Sequence, residues 1–200
     1  MIGKGKSISH GVAALEYDLA KEINGQAVAT EIARHELYGC TGAEMVQEMK
    51  PYHIDFPNVK NNCLRFEVSP SIEESATFTD ADWAELGNDF MQRMGLANHQ
   101  YIIIRHSGTE SKKEQAHLHI LANRVSLSGE LYRDNWIGKK ATEAANAIAK
   151  ERNFVQSQDI GKVNKAEIKE AMDGVLKKMQ GFDFTKFKEE LGKRGFKVRE

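Results

Sequence analysis

Residues 99–125 read HQYIIIRHSGTESKKEQAHLHILANRV. Two apolar runs, HQYIIIRH and AHLHILANRV, flank the polar stretch SGTESKKEQ, the pattern of an antiparallel hairpin with a long exposed connection. Residues two apart in a strand share a face, so His117 and His119 project together, with Leu121 and Asn123 continuing their row. Leu118, Ile120 and Ala122 then face a core on the other side. His106 ends the first run, and strand pairing sets it across the ladder from His117. Three of the chain's seven histidines thus converge on one spot and leave coordination positions open, as in a catalytic rather than a closed structural metal site.

Outward from the hairpin, strands and helices mix. Residues 1–8 read as a short strand. A helix capped by Ser9 follows, with Val12, Leu15, Leu19 and Ile23 at helical spacing until Asn24-Gly25. QAVATEIARHELYGC fits neither period, and helical pattern resumes near Gly42 to Lys50. NCLRFEVSP alternates and stops at Pro70, which predicts a strand with Leu64, Phe66 and Val68 on one face and Arg65, Glu67 and Ser69 on the other. Thr79-Asp80 opens a helix that ends at Gly95. After the hairpin, helices are expected over Trp136 to Asn153, Lys165 to Met179 and Phe184 to Gly192, and FKVRE closes the chain as a short edge strand or a frayed end. The class is α+β, a central antiparallel sheet with helices on its faces.

Two hundred residues suffice for one domain with its own core. Cys40 and Cys63 are too few and too far apart for a disulfide framework, which fits a reducing, cytoplasmic setting. No apolar segment follows the N-terminal lysines and no window has the length of a membrane span, so neither a signal peptide nor a membrane role is expected. The net charge of -1 conceals an uneven distribution: residues 161–200 carry eleven Lys or Arg against seven Asp or Glu, whereas Glu67 to Asp89 is acidic with no basic residue. Only the first could meet an anion; both also read as solvated faces.

An open three-histidine site suits polarising a phosphate or carbonyl oxygen and still needs a nucleophile. Tyr17 lies about 200 degrees around the first helix from both Leu15 and Leu19, so the apolar stripe cannot bury it, and its own face carries Ala13, Ala14 and Ala20. Tyr38 stands in a turn, Tyr52 follows Pro51, Tyr101 opens a strand that should pack, and Tyr132 follows the hairpin. Small neighbours thus leave the Tyr17 phenol accessible.

With these residues in hand, the chain resembles the relaxase, or plasmid mobilisation nuclease, family of the HUH endonuclease superfamily. His117-Leu118-His119 looks like its H-U-H, His106 like its upstream histidine, and Asn123 like the asparagine that follows in many mobilisation relaxases. MIGKGKSISHGVAALEYDL resembles the family's opening strand and helix, with Tyr17 as the nucleophile. The match reads across most of residues 1–155. GFDFTKFKEELGKRGFKV looks like the closing elements of the mobilisation-type domain. Other H-X-H sites fit less well: a cupin has a glutamate where Asn123 stands, and a histidine-triad hydrolase has a histidine at Leu121.

The resemblance implies a sheet of about five antiparallel strands and one relaxase nuclease domain over 1–200, with a catalytic core at 1–155 and a helical element at 156–200. Residue 200 is expected to be an internal point of a longer protein. It further implies metal-assisted attack of Tyr17 on one DNA strand at an origin of transfer, a 5'-phosphotyrosine link, a free 3'-hydroxyl, and mobilisation of a plasmid or integrated element by conjugation. The implied partners are single-stranded DNA, accessory relaxosome proteins and a coupling protein. His106, His117 and His119 would hold a divalent ion, Mn or Mg in use, although three imidazoles also suit Zn, Co or Ni. Some relaxases use a histidine nucleophile, which makes His10 the alternative to Tyr17. An acidic partner is expected for a metal-bound imidazole. Glu67, on the polar row of its strand, is the better placed candidate, since Ser107-Gly108-Thr109-Glu110 directly after His106 offers only Glu110, and Asn123 is a further catalytic candidate. Lys4, Lys6, Arg105, Arg124, Lys139 and Lys140 are candidate phosphate contacts. The competing readings are a replication initiator or transposase of the same superfamily, which would place its tyrosine after the H-U-H, and a DNA-binding module that does not cut.

Overall fold

The computed structural model describes residues 1–108 and 115–198. They divide into two compact units, Met1–Gln156 and Ser157–Glu200. The polar stretch between the hairpin strands, with Glu110, lies mostly outside the described residues, as do the last two positions.

The first unit is built on a five-stranded antiparallel sheet in the order β1-β5-β7-β6-β4, with β1 at Ile2–Ile8, β4 at Ala29–His35, β5 at Cys63–Ser69, β6 at His99–His106 and β7 at His117–Ser126. The β6–β7 hairpin forms the centre, in a register that sets His106 opposite His117 and Ile104 opposite His119. β5 adds along β7 with Glu67 opposite His119, and β1 along β5 with Lys4 opposite Glu67 and Lys6 opposite Arg65. Because partners across a ladder share a face, one side of the sheet carries Lys4, Lys6, Arg65, Glu67 and all three histidines.

That side also packs Ile102, Ile104 and Leu121 against α1 (Gly11–Leu19) and α2 (Gly42–Met49), where Leu15, Met45 and Met49 are fully buried. The opposite side buries Phe66, Ile103, Leu118 and Ile120 against α4 (Asp80–Arg93) and α5 (Ile137–Glu151). A single turn, α3, spans Ile72–Ser75. Thr41, Ser71 and Thr79 each form a capping box, which fixes where α2, α3 and α4 begin.

Two N-terminal expectations change. Helix α1 stops at Leu19, and Glu22–Ile23 pairs with Gln26–Ala27 as a small hairpin, β2 and β3. Asn24 and Gly25 have φ of 54° and 75°, so this Asn-Gly pair is the two-residue turn of a hairpin and not the end of a helix. Val12 is 39% exposed and does not belong to the buried stripe. QAVATEIARHELYGC supplies β3 and β4; a register shift between Glu31 and Ala33 interrupts the alternation that would have revealed the edge strand.

Helix α5 lies close on β1. A Cβ at Gly3 would come within 2.4 Å of the Ala141 carbonyl oxygen, and Thr142 Oγ1 donates to the Gly3 carbonyl at 3.1 Å. Gly3→Ala should therefore push helix from sheet and lower unfolding free energy by about 1–3 kcal/mol, measured by urea denaturation; an unchanged midpoint would show that the helix can shift freely.

The second unit consists of α6 (Ser157–Leu176) and α7 (Phe184–Lys193), joined by a small cluster of Ala171, Val175, Phe187 and Leu191. Asp183 caps α7, and Arg194 donates to the Ala171 carbonyl. Residues 196–198 form no strand. Among the described residues, no helix is long and apolar enough to cross a membrane.

Candidate active site

Each of His106, His117 and His119 offers one ring nitrogen within 4.8 Å of the others. The ring centroids stand 4.5 Å apart for His106 and His119, 4.9 Å for His117 and His119, and 5.4 Å for His106 and His117. Their neighbours decide which nitrogens keep a proton. His106 Nε2 donates to the Asp18 carbonyl at 2.7 Å, and His117 Nδ1 lies 3.2 Å from the Gln115 carbonyl. His117 Nε2 is thereby left as the acceptor for His119 Nε2 at 3.1 Å, and the bare Nδ1 of His119 faces Arg65 Nη2 at 3.3 Å. Binding a cation through His119 Nε2 requires the ring proton to sit on Nδ1 instead. The nearest carboxylate oxygen there is Asp18 Oδ1, at 3.9 Å.

Asp18 is the residue that sequence reasoning missed. It follows Tyr17, is 1% exposed, and receives Arg65 in a fork, with 3.0 Å from Nε to Oδ2 and 2.5 Å from Nη2 to Oδ1. Glu67 shares the face, but its carboxylate accepts from Lys4 Nζ at 2.9 Å. The end of α1 is thus bonded to the histidine cluster twice, by the Asp18 carbonyl to His106 and by its carboxylate through Arg65 to His119.

Tyr17 is 57% exposed, and its Oη accepts from Lys21 Nζ at 2.6 Å. His10 stands seven positions earlier at the head of the same helix, without a capping bond from its side chain, about 10 Å back along the axis. The bond from His106 to the Asp18 carbonyl sets the Tyr17 end of α1 at the imidazoles. Tyr132, the tyrosine after the H-U-H, packs on the opposite side of the sheet against His99, with ring centroids 6.2 Å apart.

Asn123 shares the histidine row but is fully buried. Its amide donates to the Met49 carbonyl and to Gln100 Oε1, and its Oδ1 meets His53 Nε2 at 2.6 Å. It ties the turn after α2 to the sheet. Among the basic candidates, Lys4 and Lys6 line a cleft of about 230 Å³ together with Arg65, Glu67 and His119. Arg105 and Arg124 alternate to the other side, where Arg105 pairs with Asp80 and Arg124 with Asp134. Lys139 and Lys140 belong to α5; Lys139 pairs with Glu143, and Lys140 donates to the Arg133 carbonyl.

Burial pushes the His119 imidazole down to about 2, helped by His106, His117, Arg65 and Lys4. Burial likewise lowers His106 and, on the sheet's far end, His99, in both cases against a backbone carbonyl that favours the charged ring. Burial raises the Asp18 carboxyl against the opposing pull of Arg65. Neutral imidazoles suit a cation, so the donor set fits a divalent metal. The unfolded chain protonates His106, His119 and His99 near pH 6.5, whereas the folded chain protonates them only at lower pH. Below pH 6.5 the unfolded state therefore binds more protons, and stability falls as pH falls. Urea titrations of the metal-free protein from pH 7.5 to 5.0 should show a flat upper range and then a loss approaching about 1.4 kcal/mol per pH unit per such histidine. No loss below pH 6.5 would mean that the rings charge freely in the fold.

A family model described as "Relaxase: MobA/VirD2-like, nuclease domain" matches residues 17–154. Among solved structures the chain is similar to the conjugative relaxase TrwC in complex with oriT DNA. The metal-free complex aligns with a TM-score of 0.46 at 10% identity and the metal-bound complex with 0.46 at 12%, each over 80% of this chain and 70% of that one. No curated protein matches the chain.

Proposed function

The chain belongs to the MobA/VirD2-like relaxase nuclease-domain family, DNA endonucleases by class, and from that premise we propose that it nicks and rejoins one DNA strand at an origin of transfer with Tyr17. The observation that carries the assignment is the double attachment of the Tyr17 end of α1 to the histidine cluster, through the Asp18 carbonyl and the Asp18–Arg65 fork.

Tyr17 Oη forms the new bond to phosphorus, the bond from phosphorus to the 3'-oxygen breaks, the phenolic proton leaves, and the 3'-oxygen takes up a proton. The result is a 5'-phosphotyrosine and a free 3'-hydroxyl. One phosphodiester replaces another, so the 3'-hydroxyl can reverse the exchange and reseal the strand. Lys21, bonded to the phenolic oxygen, holds it in place and sets a positive charge beside it. His106, His117 and His119 would hold a divalent cation, which when bound polarises the non-bridging phosphate oxygens and offsets the charge of the pentacovalent transition state. Lys4 and Lys6 steer neighbouring phosphates into the cleft. In a cell, this activity would start conjugative mobilisation of a plasmid or integrated element, with relaxosome proteins and a coupling protein as partners.

The test is incubation with single-stranded oligonucleotides that carry the origin, in Mn, Mg, Co, Ni or Zn. A covalent protein–DNA adduct that withstands denaturation, and that a chelator prevents, is expected. No adduct with any of these ions refutes cleavage.

A further inference from the structure

Trp136 breaks two rules at once. It is 81% exposed, and its backbone is left-handed, with φ 59° and ψ 26°, immediately before α5. Asn24, Glu36 and Asn153 also take positive φ; asparagine does so readily, whereas a bulky aromatic residue does so only at a cost in free energy, and such outliers cluster where function requires them. The other tryptophan behaves conventionally. Trp83 is 2% exposed, and its ring meets Phe78 at 5.2 Å. An indole that is strained and also left in water has given up the burial that would offset its conformation.

Its position supplies a reason. Gly138, two residues on, lies against the Gly5 carbonyl, to which a Cβ on Gly138 would come within 3.5 Å. Gly5 sits between Lys4 and Lys6, whose side chains line the cleft with His119. The backbone two residues from Trp136 therefore meets β1, the outermost strand of the sheet, on the face opposite the one that carries the histidines. Three residues on from Trp136, Lys139 exposes 71% of its side chain.

We propose that Trp136 is a stacking platform for a base of the single-stranded DNA that leaves the Lys4–Lys6 cleft around the β1 edge, an inference that rests on the relaxase reading. A flat aromatic face binds any base, and lysines on either side suit the flanking phosphates.

Tryptophan fluorescence tests this directly, because Trp83 is shielded and Trp136 is not. Adding a single-stranded oligonucleotide should quench the exposed signal, whereas a duplex of the same sequence should not. Trp136→Gly relieves the backbone strain, so it should melt no lower than the parent, yet bind single strands about 5- to 150-fold more weakly; Trp136→Tyr should keep most of the affinity. Unquenched fluorescence in an oligonucleotide complex seen by filter binding, equal quenching by duplex, or parental affinity in Trp136→Gly would each overturn the proposal. If the adduct still forms in that case, only stacking fails; quenching without any adduct supports stacking and removes cleavage instead.

Discussion

On the proposed mechanism, Tyr17→Phe should abolish the covalent adduct, with a loss on the order of 10⁴-fold or more in its rate of formation, because it removes the attacking oxygen. Fold and metal binding should survive. Tyr17 is 57% exposed, and the hydroxyl is bonded to Lys21 at the surface, so its removal leaves no buried group unpaired. Metal affinity, measured by titration, and the melting temperature should match the parent, which separates loss of the nucleophile from loss of the site. His10→Ala is the necessary companion. His10 lies at the far end of α1 from the cluster, so its variant should still form the adduct at close to the parental rate. An adduct that survives Tyr17→Phe and disappears in His10→Ala would reverse the assignment.

How far these residues can be read from sequence depends on whether their signal is periodic or positional. Alternation in HQYIIIRH and AHLHILANRV specifies faces, and the register follows once the strands pair; the histidine cluster was legible for that reason. The same parity argues against Arg105 and Arg124 as neighbours of the site, since each sits one residue from the histidine face; chain adjacency to a catalytic residue is no guide in a strand. β4 hides because its bulge breaks the period. The Asn-Gly pair after α1 serves equally well as a helix end and as a hairpin turn, and only the pairing partner decides. Asp18 had no local signature. An aspartate near a helix terminus is ordinarily solvated, and its burial depends on Arg65 arriving from a strand 47 positions away.

That pair yields the second large effect. Asp18→Asn leaves the Arg65 guanidinium, on a side chain 20% exposed, without its counter-charge, which should cost about 2–3 kcal/mol in stability. It also removes the carboxylate that stands 3.9 Å from His119 Nδ1, the anionic group nearest to a ring proton placed there when Nε2 holds a cation, so metal affinity should fall about 10- to 100-fold. The two losses are separable. Adding Arg65→Gln to Asp18→Asn removes the stranded charge and should restore much of the stability, as read from urea midpoints, while the metal Kd stays weak. Glu67→Gln is the control that the sheet register recommends, since Glu67 faces the same cleft but gives its carboxylate to Lys4; its metal Kd should stay within about threefold of the parent, a change of less than 1 kcal/mol. If Glu67→Gln weakens the metal and Asp18→Asn does not, the acceptor is the strand carboxylate that sequence reasoning selected. If neither does, the backbone contacts of His106 and His117 suffice to orient the donors. If Asp18→Asn alone does, the residue beside the nucleophile also orients the metal ligand, and a displacement of the helix end would move attacking oxygen and cation site together.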